Sequence, residues 1–211
     1  MGMIWEIVKS GSEKVKGFKR LPRSSEVMAS MLIQARMFKE VELLVLEVER
    51  EGILLDSHGI FCSLIEGYVG VGDLESAILV SDKMRGQQLV PSLSCYHALI
   101  DVLIERRQTQ LAFQVYLDMV ELDVHWSDKE MPAFENVIRL LCDDGRVQEA
   151  RNLFKKVLLR FKPSSLVINE IACGYCEKKD FEDLLRFLVE LKCVPDIIVG
   201  NKIIYNLWRK F

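Results

Sequence analysis

Five positions of this sequence keep a common spacing that a repeated unit explains and chance does not. Val41, Ala77, Ala112, Ala150 and Leu184 follow one another at intervals of 36, 35, 38 and 34 residues, and Val48, Met84, Met119, Val157 and Leu191 repeat those intervals seven residues later. Self-similarity at this period marks a helical solenoid. Each unit is a helix-turn-helix that cannot bury its apolar side alone and leans on its neighbours. The punctuation is clearest from Leu89 to Ile100. There a helix ends, Pro91 breaks the chain, and Tyr96-His97-Ala98-Leu99-Ile100 opens the next helix. The expected fold is all-α, a solenoid of helix-turn-helix repeats.

The period divides the chain into an N-terminal helix and basic link at 1–21 and an array at 22–211. Its repeats run about 22–57, 58–92, 93–130, 131–164 and 165–196, with a half repeat at 197–211. Trp5 and Ile4 are expected to cover the apolar side of the first repeat. Val27, Met31 and Leu32 recur at helical spacing in its first helix, and Leu43, Leu44 and Val48 in its second. Gly52 reads as a helix C-cap and Asp73 as an N-cap. The half repeat restarts the opening and stops after one helix. The sequence thus reads as a fragment of a longer array, able to self-associate end to end through that open face.

Composition narrows the function classes. No apolar run approaches the roughly 20 residues of a membrane span. The net charge of −3 argues against nucleic-acid binding by the whole surface but leaves room for a local groove. The six cysteines show no disulfide framework and read as small buried apolar residues of a reducing compartment. Cys173-x-x-Cys176, with Cys193 as a third thiol, falls short of the four ligands of a structural zinc site, so packing is the reading. His58, His97 and His125 suggest no nucleophile–base arrangement. No Gly-rich phosphate loop is present. Neither a metal, a cofactor nor an enzymatic activity is expected.

Several stretches resemble pentatricopeptide repeats. Phe61-Cys62-Ser63-Leu64-Ile65-Glu66-Gly67-Tyr68 with Gly72-Asp73-Leu74-Glu75-Ser76-Ala77 and Met84 is one. Asn136-Val137-Ile138-Arg139-Leu140-Leu141-Cys142 followed by Gly145-Arg146-Val147-Gln148-Glu149-Ala150 is another. The resemblance covers about residues 22–211. It implies a right-handed superhelix of helix pairs whose first helices line a groove. It also implies single-stranded RNA binding in mitochondria or chloroplasts, in RNA processing, stability or translation, with one base read per repeat. In that family the reader follows the opening aromatic and works with the last residue of the repeat. The second residues of successive repeats clamp the base.

Carried over by position, the resemblance implies that Asn169 and Asp196 read a base in the fifth repeat, with uracil preferred. Leu166 and Ile198 would be the clamp. Asn201 would read in the half repeat. The corresponding pairs are Cys62 with Ser92 in the second repeat, His97 with Ser127 or Glu130 in the third, and Glu135 with Ser164 in the fourth. The first offers Glu26 with Asp56 or Ser57. The earlier clamp positions hold Arg23, Gly59, Ser94 and Pro132, and a carboxylate at 26 or 135 would face phosphates. The first four repeats therefore read as an extension or a protein-contact surface, with recognition beginning at the fifth. The alternative reading is a protein-interaction scaffold that binds no RNA.

Overall fold

The computed structural model describes residues 22–52, 57–122, 130–158, 164–191 and 195–208, and among them every regular element is helical. The helices are α1 (Pro22–Gln34), α2 (Phe38–Arg50), α3 (Ser57–Gly70), α4 (Leu74–Gly86), α5 (Leu93–Glu105), α6 (Thr109–Val120), α7 (Met131–Asp143), α8 (Val147–Leu158), α9 (Ser165–Lys178), α10 (Phe181–Leu191) and α11 (Ile197–Trp208). The first ten pair in order as five hairpins and α11 follows them, so the all-α hairpin-repeat class expected from the period is the class observed. None is long and apolar enough to cross a membrane. The expected covering by Ile4 and Trp5 lies outside the described residues.

One turn joins the two helices of every hairpin. Arg36, Gly72, Arg107, Gly145 and Lys179 all have positive φ, between 51° and 79°. Their spacing repeats the 36, 35, 38 and 34 of the sequence markers. At each, the amide of the next residue donates back to a carbonyl five residues earlier: Met37 to Leu32, Asp73 to Tyr68, Gln108 to Leu103, Arg146 to Leu141 and Asp180 to Tyr175, at 2.7 to 3.0 Å. This is a Schellman closure, which satisfies carbonyls left open at a helix end. Asp73 then starts α4, accepting from the Ser76 amide at 3.2 Å, and Asp180 starts α10 on the Asp183 amide at 3.2 Å. Gly52 ends α2 with φ +69°, as its sequence position suggests.

Glycine occupies two of the five turns; Arg36, Arg107 and Lys179 hold a left-handed conformation against their own Cβ. Exchanging Arg107 or Lys179 for glycine should raise stability by about 0.5–1 kcal/mol. A urea titration reads the shift in midpoint. A fall in midpoint for both variants would contradict the strain.

The chain forms two compact units that divide between Leu99 and Ile100. In the first, α1 packs on α2 and α3, and α3 also packs on α2 and α4. In the second, α7 packs on α6, α8 and α9, and α9 on α8, α10 and α11. First helices therefore stack directly where α1 meets α3, α7 meets α9 and α9 meets α11. The marker slots are core: Val41, Ala77, Ala112, Ala150, Leu184, Val48, Met84, Met119 and Val157 are fully buried, and Leu191 is half-buried.

Glycine makes two of the close approaches. A Cβ at Gly67 would come within 2.6 Å of the Phe38 ring, and one at Gly174 within 2.8 Å of Val147 Cγ2 and 3.4 Å of Cys142. The core of the second unit is a run of aromatic contacts. Tyr116 meets Phe134 at 6.1 Å between centroids, Phe134 meets Phe154 at 6.4 Å, Phe154 meets Phe187 at 5.7 Å, and Phe187 meets Tyr175 at 6.1 Å. Arg151 joins α8 to α10 through Glu190 at 2.9 Å, with Asp183 at 3.8 Å.

The structure corrects part of the expected core. Val27, Met31 and Leu43 are exposed, while the expected Leu32, Leu44 and Val48 are buried, together with Ala29 and Val45. A helical stripe read from apolar spacing admits neighbouring registers. The buried register of α1 runs through the smaller Ser25 and Ala29 to Leu32.

Candidate functional site

The fifth-repeat pair is brought into direct contact. Asn169 lies in the second turn of α9, and Asp196 is the residue before α11. Asn169 Nδ2 donates to Asp196 Oδ2 at 2.7 Å, and the Asp196 backbone amide donates to Asn169 Oδ1 at 3.2 Å. The other carboxylate oxygen, Oδ1, accepts from the Val199 amide at 2.8 Å and so caps α11. One aspartate thus starts a helix and fixes an amide on the neighbouring helix. The amide has used one N–H and one lone pair, which sets its orientation. It retains one N–H and one lone pair.

Leu166 sits three residues before Asn169 on the same side of α9 and is 58% exposed. Asn201 is exposed on α11, one turn past the cap. The side chain of Ile198, the other clamp residue, lies outside the described residues.

The fourth-repeat pair is also joined. Ser164, just before α9, donates its hydroxyl hydrogen to Glu135 Oε1 on α7 at 2.6 Å. In both repeats the reading position of one first helix therefore touches the residue that leads into the next. Both groups of this pair are half-buried.

The hydrogen bonds of the second-repeat pair lead elsewhere. Ser92 Oγ accepts from the Cys95 amide at 3.3 Å at the start of α5 and lies 2.9 Å from Ser94 Oγ. The Cys62 thiol faces His58 Nε2 at 4.0 Å, and the Cys62 carbonyl accepts from the Cys95 thiol at 3.5 Å. In the third repeat His97 Nε2 is buried with no hydrogen-bond partner among the described residues. Ser127 lies outside the described residues, and Glu130 is 4% exposed. In the first repeat Asp56 is likewise outside them, as is the side chain of Arg23. Of the earlier clamp positions, Ser94 donates to Glu66 at 2.7 Å and Pro132 is exposed.

Ion pairs bridge successive first helices: Arg139 to Glu170 at 3.3 Å, and Lys202 to Glu177 at 2.9 Å. Glu170 and Lys202 each directly follow a reading position, Asn169 and Asn201. Sequence reasoning had no signal for these pairings beyond opposite charge. The capping role of Asp196 was readable, since an aspartate three residues before a helical amide is the ordinary N-cap spacing.

The thiols behave as packing groups. Cys62, Cys95, Cys142 and Cys176 are buried. Burial pushes the Cys95 and Cys142 thiols up to about 12 and raises Cys173 and Cys176, which keeps them protonated near neutral pH. Among the described residues, no three His, Cys, Asp or Glu side chains are arranged to hold a metal. The aromatics Phe61, Tyr96 and Phe134, which share one repeat slot, are buried between helices and offer no face to a ligand.

Comparison with known proteins bears on the family and the fold. A family model described as a pentatricopeptide repeat domain matches residues 43–121, and one described as a PPR repeat matches residues 133–160. A mitochondrial pentatricopeptide repeat-containing protein of Arabidopsis thaliana is 46% identical over 209 residues, covering 99% of this chain and 17% of the relative. A second mitochondrial relative from that plant is 28% identical over 146 residues, covering 69% of this chain and 14% of its own length. The chain thus spans about a sixth of the length of these curated relatives. Among solved structures, the pentatricopeptide repeat protein PPR10 from maize superposes with a TM-score of 0.53 at 19% identity, over 88% of this chain and 27% of that one. The PPR domain of Arabidopsis thaliana protein-only RNase P 1, solved in complex with tRNA, gives 0.53 at 12% identity, over 90% and 99%. At these identities the likeness is one of fold.

Proposed function

This chain belongs to the pentatricopeptide repeat family, and from that premise we propose that it is a single-stranded-RNA-binding module of an organellar RNA factor, with a uracil read by Asn169. The mitochondrial names of two relatives favour the mitochondrion over the chloroplast. The activity is binding in support of RNA processing, stability or translation, with no chemistry of its own.

The observation that carries this reading is the locked amide. The hydrogen bonds to Asp196 at 2.7 and 3.2 Å give Asn169 one preferred face. The amide still has an N–H that can donate to a uracil carbonyl oxygen and a lone pair that can accept from N3–H. Exposed Leu166 offers apolar surface beside it. Recognition of unpaired bases by a few side chains of one helical repeat is how such arrays read RNA.

Fluorescence anisotropy with uridine-containing and uridine-free single strands tests this, at low and moderate salt. Binding should favour uridine and weaken as salt rises, because phosphate contacts release counterions. Asp196→Ala should lower uridine discrimination about tenfold, the scale of one bidentate base contact. The same change should reduce stability by about 1 kcal/mol through loss of the α11 cap. Failure of every strand to bind would put the protein-interaction scaffold, with a partner docked on the first four repeats, ahead of this reading.

A further inference from the structure

The fourth repeat repeats the wiring of the fifth with the chemistry reversed. In the fifth an acid leads into the next helix and holds an amide at the reading position, at 2.7 Å. In the fourth the acid itself stands at the reading position, and a hydroxyl leading into the next helix holds it, at 2.6 Å. The Ser164 hydroxyl has a single hydrogen, which Glu135 Oε1 takes. The pair is therefore oriented but has no donor left to offer. What remains at Glu135 is a set of carboxylate lone pairs, acceptors only.

Among the four RNA bases, one pairing edge suits an acceptor-only group. Guanine presents N1–H and the N2 amino group side by side, two donors that a carboxylate can take together. Adenine and cytosine place a ring-nitrogen acceptor beside their amino group, and uracil flanks N3–H with two carbonyl oxygens. A carboxylate against any of these sets lone pair against lone pair. Pro132, exposed three residues before Glu135 on α7, supplies an apolar ring at the position that Leu166 fills in the fifth repeat. Arg139, one helical turn beyond Glu135, pairs at 3.3 Å with Glu170, the residue that follows Asn169, and so ties α7 to α9 next to both positions in sequence.

We propose that Glu135, oriented by Ser164, selects guanine at the base next to the uracil read by Asn169. The inference rests on the RNA-binding reading above and goes beyond it by extending the reading surface into the fourth repeat.

The test is anisotropy with single strands of constant flanks and a variable base on either side of one uridine. Guanine on one of the two sides should bind about tenfold tighter than adenine, cytosine or uracil there. Glu135→Gln, which puts a donor where an acceptor stood, should bring that ratio to about one while leaving the uridine preference in place. Asn169→Ala should do the reverse. Ser164 makes no side-chain capping bond to α9, so Ser164→Ala serves as a second variant that leaves that helix intact. It should lower the guanine ratio part of the way. A uridine preference with no base preference beside it overturns the role of Glu135 and leaves the proposed function standing. A guanine preference that survives both Glu135→Gln and Ser164→Ala also overturns it. Absence of binding to every strand removes both readings.

Discussion

Truncating Phe134 to alanine should destabilise the chain by about 3–5 kcal/mol, the usual cost of emptying a buried aromatic site. Phe134 is completely buried, with Tyr116 of α6 at 6.1 Å and Phe154 of α8 at 6.4 Å between centroids. Its removal opens a void among three helices that belong to two hairpins. Neither neighbour can collapse into that void without breaking its own contacts, Phe154 with Phe187 at 5.7 Å among them. Phe134→Leu keeps most of the volume and should cost about 1.5 kcal/mol or less. Urea titration of both variants measures the difference. An alanine variant within about 1 kcal/mol of the parent would mean that the aromatic run is not where the stability of this unit resides.

The second large effect is expected at Gly174, where substitution by leucine should cost about 3 kcal/mol, the upper range of overpacking. The first added carbon would already lie 2.8 Å from Val147 Cγ2 and 3.4 Å from the Cys142 side chain. Val147 is buried at the start of α8 and Cys142 is buried near the end of α7, so neither has open space to enter. The added bulk would force α9 away from both. Gly70, on α3, has nothing within 4 Å of its Cβ direction and serves as a control. Leucine there should change the midpoint little, and equal effects at the two glycines would refute the close-approach account.

How much of this was legible in the sequence depends on what kind of signal carried it. The period was legible because burial imposes it. A slot that must be small or apolar in one hairpin must be so in the next, and nine of the ten marker residues are fully buried. The turns carry the same spacing, yet only Gly72 and Gly145 advertise the left-handed conformation. Arg36, Arg107 and Lys179 adopt it because the helices on either side dictate it, against the preference of the residue itself. The α1 stripe misled because Val27 and Met31 are large and apolar, whereas the buried register uses Ser25 and Ala29. In α10 the core is formed by Phe181, Leu184 and Phe187 while adjacent Leu185 is exposed, a choice that periodicity over 11 residues leaves open.

The site divides in the same manner. That Asn169 and Asp196 belong together followed from their place in the repeat, and the structure sets them 2.7 Å apart. That Asp196 also caps α11 needed only its spacing to Val199. Glu135 and Ser164 were paired by the same rule, and the structure joins them at 2.6 Å; what the sequence did not show is that the Ser164 hydroxyl orients the carboxylate, so that the acid read only as a source of repulsion.

The double duty of Asp196 carries a lesson for counting addresses along such an array. The bonded pair takes one member from inside a hairpin and the other from the threshold of the following helix, so n consecutive hairpins supply n − 1 such seams. Because the Asp196 carboxylate also caps the first turn of α11, fraying of that turn would release the Asn169 amide and leave the hairpin that carries it in place. Under the proposed RNA reading, that is a way for an array to mute one letter and keep its scaffold whole.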